Sequence, residues 1–299
     1  MNKWTTAGRD NHDQVEKEAY LGLLKEELER QAGEGEKLVY RNMVRNNGVV
    51  RESVSVLREG SDIAPVVYLD SCYDQHVSKG VTAAESAQQI LHYQSCSECV
   101  RRSADAFFGE YEEAGKNIAM RLINCGRNRE LLEEVPHRMV EDMAILYYYT
   151  VFSDAEGSGA ILIRNADLSR WKISEEDFFK DAESNASRLL PPVIRSVSQM
   201  LGLPDQEEDL YVLTNTRGVY GSSCLFYPGM FSRILDRFQT DCYILPSSVH
   251  EVLILPVDGE CDPKALSLIV REINRTEVSE EDYLSDSVYL LSRQGLTCI

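Results

Sequence analysis

Apolar positions recur at helical spacing from residue 15 to 31, at Val15, Ala19, Leu23, Leu24 and Leu28, and the Gly33–Gly35 pair follows. This pattern predicts an amphipathic N-terminal helix with a glycine stop. The pattern then changes. Leu38–Arg45 and Val49–Arg58 are β-rich, and Asn47-Gly48 between them supplies the positive φ angles of a hairpin turn. A third strand is predicted over Ile63–Leu69, with Pro65 near its start.

Helices come next. Thr82–Glu85 matches a capping box opening a helix toward Cys99, and a second helix is expected over Ala104–Ala114. Asn117–Ile123 is compatible with helix or strand. Arg127–Glu134 is a short helix stopped before Pro136. The apolar, aromatic run Met143–Phe152 reads as a buried strand, with Ala160–Arg164 as its antiparallel partner. Ser174–Asp177 (SEED) caps a helix that reaches Leu190 and ends at Pro191-Pro192.

Beyond the prolines, Val193–Leu201 is read as helix and Leu210–Thr214 as strand. A turn at Arg217-Gly218 leads to a strand over Val219–Tyr227. Met230–Phe238 is a helix, Cys242–Leu245 and Val249–Leu255 are strands, Ala265–Ile273 is a helix led by Pro263, and Val288–Leu291 is a closing strand. The sum is an α+β fold with a mixed, largely antiparallel sheet, flanking helices and an N-terminal helix. The division expected is a helical segment 1–36, an α+β subdomain 37–200 and a second one 201–299, with one continuous domain 37–295 as the alternative.

Composition fits a folded protein, at 43% hydrophobic and 27% charged residues. Net charge is −18, so nucleic acid and anionic membranes are not expected partners. A decoy of a nucleic-acid-binding protein is a third reading, but the acids are scattered rather than arrayed. The start carries no apolar leader, and the longest apolar run, Met143–Phe152, is about half a bilayer span. A cytoplasmic location is expected, with eight reduced cysteines.

Two segments invite chemistry. Cys96-x-x-Cys99 with His92 lacks the second ligand pair that zinc requires, so no metal or cofactor is expected. Leu245–Pro256 (LPSSVHEVLILP) packs Ser247, Ser248, His250 and Glu251 together, so a nucleophile and a base can be imagined. Gly221-Ser222-Ser223-Cys224-Leu225 fails as a nucleophile elbow at its last position, and His250-Glu251 lacks the second histidine of a zincin. A serine turn with a structural histidine is the favoured reading. Asn215, Ser247, Ser248, His250 and Glu251 are the candidate binding residues for a protein or small-molecule ligand. A serine/histidine-dependent hydrolase or transferase is the alternative.

Several stretches also carry a resemblance: the NNGV turn in Asn42–Arg58, Asp142–Ile145, Ile163-Arg164-Asn165, Leu168–Glu176, Tyr211–Asn215 (YVLTN), Cys224–Gly229, Ile244–Pro256 and Leu284–Tyr289 (LSDSVY). Together, over roughly Lys37–Arg293, they resemble the domain-of-unknown-function family numbered 5688 from gut-dwelling anaerobic Gram-positive bacteria. The resemblance implies no activity, cofactor or catalytic residue, and Cys96 and Cys99 are not part of it.

Overall fold

The computed structural model describes residues 6–58, 64–95, 97–153, 158–204, 210–257 and 262–299. The chain divides into two compact units, Met1–Arg45 with Val50–Asp105, and Asn46–Val49 with Ala106–Ile299.

The first unit begins with α1 (Thr6–Gln31), which buries Tyr20, Leu24 and Leu28 at four-residue spacing. Leu23 and Val15 face outward instead. The hairpin forms as the pattern predicts, β1 (Glu36–Val44) against β2 (Val50–Arg58), with Leu38 opposite Val56. Asn47 (φ 59°) and Gly48 (φ 76°) take the left-handed region in the turn.

The third strand is far shorter than expected. β3 (Val67–Tyr68) pairs with β2, and Leu69 already opens α2 (Leu69–Lys79). Leu69 and Cys72 share a buried face at helical spacing, Asp70 favours the positive helix start, and Gly80 ends the helix at φ 72°. α3 (Ala83–Ser95) starts from the capping box, where the Thr82 N–H donates to Glu85 at 2.8 Å and the Glu85 N–H donates back to Thr82 Oγ1. α4 (Ser97–Phe108) begins in this unit. The core joins Leu24, Leu28, Val54, Val56, Leu69 and Ile90.

The second unit is built on two antiparallel sheets. In the smaller, β6 (Met143–Ser153) is central; β4 (Ile118–Asn124) lines one edge, while β5 (His137–Val140) and β7 (Ser158–Leu162) share the other. The ambiguous segment at 117–123 is therefore a strand. α5 (Tyr111–Ala114) precedes β4, and α6 (Arg129–Glu134) lies between β4 and β5. The helix expected over Ala104–Ala114 is thus split, into α4 and α5.

α7 (Asn165–Trp171) precedes α8 (Glu175–Leu189), which packs on β4. Ser174 caps α8 by accepting from the Asp177 N–H at 3.2 Å.

The larger sheet has six strands. Its order is β13 (Gly295–Cys298), β12 (Tyr289–Ser292), β10 (Cys242–Ser248), β11 (Glu251–Pro256), β9 (Tyr211–Asn215) and β8 (Pro192–Ser196). α10 (Met230–Phe238) and α11 (Pro263–Thr276) pack against its strands.

Two expectations fail here. Val193–Leu201 is not one helix: Pro192–Ser196 is edge strand β8, and only Val197–Met200 is helical, as α9. The β-branched pair Val193-Ile194 favours extended backbone and finds partners in Thr214 and Leu213 of β9. Val219–Tyr227 is not a strand either. Gly221–Phe226 coils into a buried 3₁₀ turn, with Ser222, Ser223, Cys224 and Leu225 nearly inaccessible. None of the helices among the described residues is long and apolar enough to cross a membrane.

Candidate functional site

The connection between β10 and β11 carries the serine-rich segment. Pro246 has no N–H for the ladder, and the pairing shifts register between Leu245 and Ser248. Ser248 then lies opposite Glu251, the half-buried first residue of β11. Ser247 belongs to β10, but its side chain lies outside the described residues. The chain turns back at Val249-His250, so Ser248 and His250 do not share one extended strand.

Ser248, His250 and the backbone between them have defined partners. Ser248 Oγ accepts from the His250 N–H at 3.0 Å, closing the turn. The Thr214 hydroxyl donates to the His250 carbonyl at 2.8 Å, and Ser222 Oγ donates to the Val249 carbonyl at 2.7 Å. Asn215 is buried and closes a different turn: Oδ1 accepts from the Arg217 N–H at 2.9 Å and Nδ2 donates to the Val219 carbonyl at 2.8 Å. These contacts gather Asn215, Ser248, His250 and Glu251 around one corner of the larger sheet.

The His250 ring is fixed by both nitrogens. Nδ1 accepts from the backbone N–H of Tyr220 at 3.2 Å, and Nε2 lies 3.1 Å from Asp282 Oδ1. A backbone N–H can only donate, so in the neutral ring the proton sits on Nε2 and points at the carboxylate. The ring also stacks on Tyr220, at 5.8 Å between centroids and 16° between planes. Tyr220 itself has φ 53°, an uncommon conformation for a tyrosine, held by these contacts.

Sequence reasoning missed Asp282 and Tyr220. A signal for Asp282 was present: Ser279–Asp282 repeats the SEED tetrad of Ser174–Asp177. In both places the serine accepts from the aspartate N–H, at 3.2 Å at the start of α8 and 3.1 Å at Ser279. The second copy makes one turn only, and its aspartate reaches His250.

A second polar cluster lies in this unit. Asp142 accepts from Ser285 Oγ at 2.6 Å and also from the hydroxyl of fully buried Tyr289. Asn47 exchanges hydrogen bonds with Asn128, both at 2.9 Å, and its amide also donates to the Glu280 and Tyr283 carbonyls at 2.8 Å. Asn124 reaches the Leu284 carbonyl at 2.9 Å. The NNGV, Asp142 and LSDSVY segments thus converge, and their polar groups hold the irregular chain over 279–288 in place of a regular ladder.

Burial pushes the Tyr148 and Tyr227 hydroxyls above the usual phenol range; at Tyr148 the Tyr220 ring adds to the rise, and the Arg121 guanidinium opposes it. Such hydroxyls do not act as bases near neutrality. Among the described residues, no group of three histidine, cysteine, aspartate or glutamate side chains is placed to hold a metal ion. Cys96 and the side chain of Cys99 lie outside the described residues.

No curated protein and no solved structure matches the chain. The segments of the resemblance, however, span both units, and the second unit brings several of them into contact. One family matches residues 17–293, described as "Family of unknown function (DUF5688)", and the chain belongs to it.

Proposed function

We propose that this chain is a non-catalytic, cytoplasmic binding or regulatory protein that acts on another protein or a small ligand, and not on nucleic acid or membrane. The observation that carries the reading is the commitment of His250. A general base needs a free ring nitrogen within reach of the nucleophile's proton. Here Nδ1 already accepts from the Tyr220 amide and Nε2 faces Asp282, while Ser248 Oγ is turned to the His250 backbone N–H. The imidazole and its carboxylate resemble half of a triad, but the half that would activate a hydroxyl is occupied by the protein's own backbone.

The charge of −18 supports the choice of partner, because a phosphate backbone or an anionic bilayer would be repelled at long range.

The test has two arms. A fluorophosphonate probe is applied to the full chain and to Ser247→Ala, Ser248→Ala and His250→Ala. Labelling that is absent, or equal in all four proteins, supports the reading; labelling lost in Ser248→Ala and His250→Ala overturns it in favour of a hydrolase or transferase. In the second arm, the tagged chain is recovered from its source cells and weighed by native mass spectrometry. A stoichiometric added mass is expected, and a bare chain counts against binding.

A further inference from the structure

Arg121 stands in the middle of β4, where the other six residues, Ile118 to Met120 and Leu122 to Asn124, are buried. The alternation of a strand puts Arg121 on the face of Ala119 and Ile123, away from Met120 and Leu122. Its guanidinium lies over the Tyr220 ring, 5.5 Å from the centroid. Tyr148, opposite Ala119 on β6, meets Tyr220 edge-on at 5.5 Å, and His250 stacks on the same tyrosine. Arg121, Tyr148, Tyr220 and His250 therefore form one connected aromatic and cationic group within the second unit.

Two facts set Arg121 apart. Its Nε is inaccessible and has no hydrogen-bond partner, and among the described residues no carboxylate lies within ion-pairing distance of its guanidinium. Arg138, Arg164 and Arg275 of the unit have Glu183, Glu134 and Glu272 beside them, while Arg127 and Arg237 lie, like Arg121, over aromatic rings. Among the described arginines, Arg121 alone adds a buried donor without a partner. In a chain with 49 acidic residues, a half-buried arginine without one is not explained by a shortage of carboxylates. A partly desolvated cation with an unmet donor favours an anionic oxygen, and the planar guanidinium matches a carboxylate or phosphate group through paired N–H donors. Asp282 does not meet this need, being engaged by His250 and by Ser279.

We infer that Arg121, backed by Tyr220 and Tyr148, is the anchor of a binding site for the carboxylate or phosphate group of a small ligand. This deepens the binding reading above and rests on it. Arg121 supplies the charge and the N–H donors of its two terminal nitrogens, and Tyr220 holds the guanidinium by cation–π contact. The −18 overall charge then acts as a filter, since a ligand with one compact oxyanion is tolerated where a polyanion is repelled.

The experiment titrates the full chain with inorganic phosphate, with acetate and with chloride at matched ionic strength, following the Arg121 Nε–Hε resonance and the Tyr220 amide by NMR. A saturable shift with phosphate or acetate, absent with chloride, is expected, and the better of the two probes tells a phosphorylated ligand from a carboxylate. Arg121→Lys keeps the charge without the fork and is expected to weaken the response about tenfold, as the loss of one charge-assisted hydrogen bond would. Shifts that follow ionic strength alike in all three salts, or an unchanged Tyr220 response in Arg121→Lys, overturn the site. Arg121→Met is a further control; should it fail to fold, the wild-type and lysine titrations still decide. Probe labelling that depends on Ser248 would defeat the non-catalytic reading without touching these titrations, so the two failures are distinguishable.

Discussion

Thr214 Oγ1 occupies the space that a side chain on Gly221 would need: a Cβ built there would lie 2.1 Å from it, 2.5 Å from the His250 carbonyl oxygen and 2.8 Å from the Asn215 backbone nitrogen. Two of the three obstacles are backbone, which cannot swing aside. Gly221→Ala is therefore expected to cost about 3 kcal/mol, at the upper end of overpacking penalties. Thr214→Ala in the same chain is expected to recover only a minor part. Urea unfolding of the single and double variants checks this; a Gly221→Ala protein as stable as wild type would contradict the close approach.

His250 makes a spectroscopic claim. With Nδ1 accepting from the Tyr220 amide, the neutral ring must carry its proton on Nε2, and long-range ¹H–¹⁵N spectra are expected to show that tautomer alone. His250 and Asp282 each keep more than a third of their side-chain surface exposed, so Asp282→Ala is expected to cost no more than about 1 kcal/mol. A protonated Nδ1 at neutral pH would remove the argument against a hydrolase.

The buried thiols set a limit at alkaline pH. Burial, with a small addition from Asp74, pushes the Cys72 thiol up to about 11; burial does the same for Cys242, aided by Asp241, and pushes Cys224 to about 12. The folded state prefers the neutral thiol in each case. Their contribution to stability is complete below the ordinary value of 9.0 and is lost as pH rises through about 11 to 12. Timed alkylation at pH 8 with peptide mapping is expected to modify exposed Cys298 well before Cys72, Cys224 and Cys242. Equal rates for the four would show that these thiols are not enclosed.

Strong local signals carried the sequence reading furthest. Asn47-Gly48, the capping box at Thr82, the cap at Ser174 and the run Met143–Phe152 each define their element by a short-range physical rule, and the first hairpin, α3, α8 and β6 follow, while α1 and α10 follow from helical periodicity. The α+β class with antiparallel sheets stands. Errors fell where distant partners decide. Val193-Ile194 become strand because β9 offers a ladder, and Gly221–Phe226 coils where Ser222 and Ser223 find the distant Val249 and Met120 carbonyls. Around the candidate site, Ser248 and His250 were legible as a turn, but Tyr220 and Asp282 are 30 and 32 residues from His250, and no periodicity reports such a contact. Arg121 was invisible for a related reason: a missing counter-charge is a property of the folded surroundings and not of the strand.

The turn Asn46–Val49 groups with the second unit although the strands on either side of it belong to the first. A polypeptide starting at Ala106 would consequently lack four residues of its own fold. Asn128 would lose its reciprocal amide, and the carbonyls of Glu280, Glu281 and Tyr283 would lose the donors that now meet them. The second unit is thus completed by a loop translated some sixty residues ahead of it, so its assembly during synthesis draws on a piece already made, and excision by a single cut yields an incomplete body.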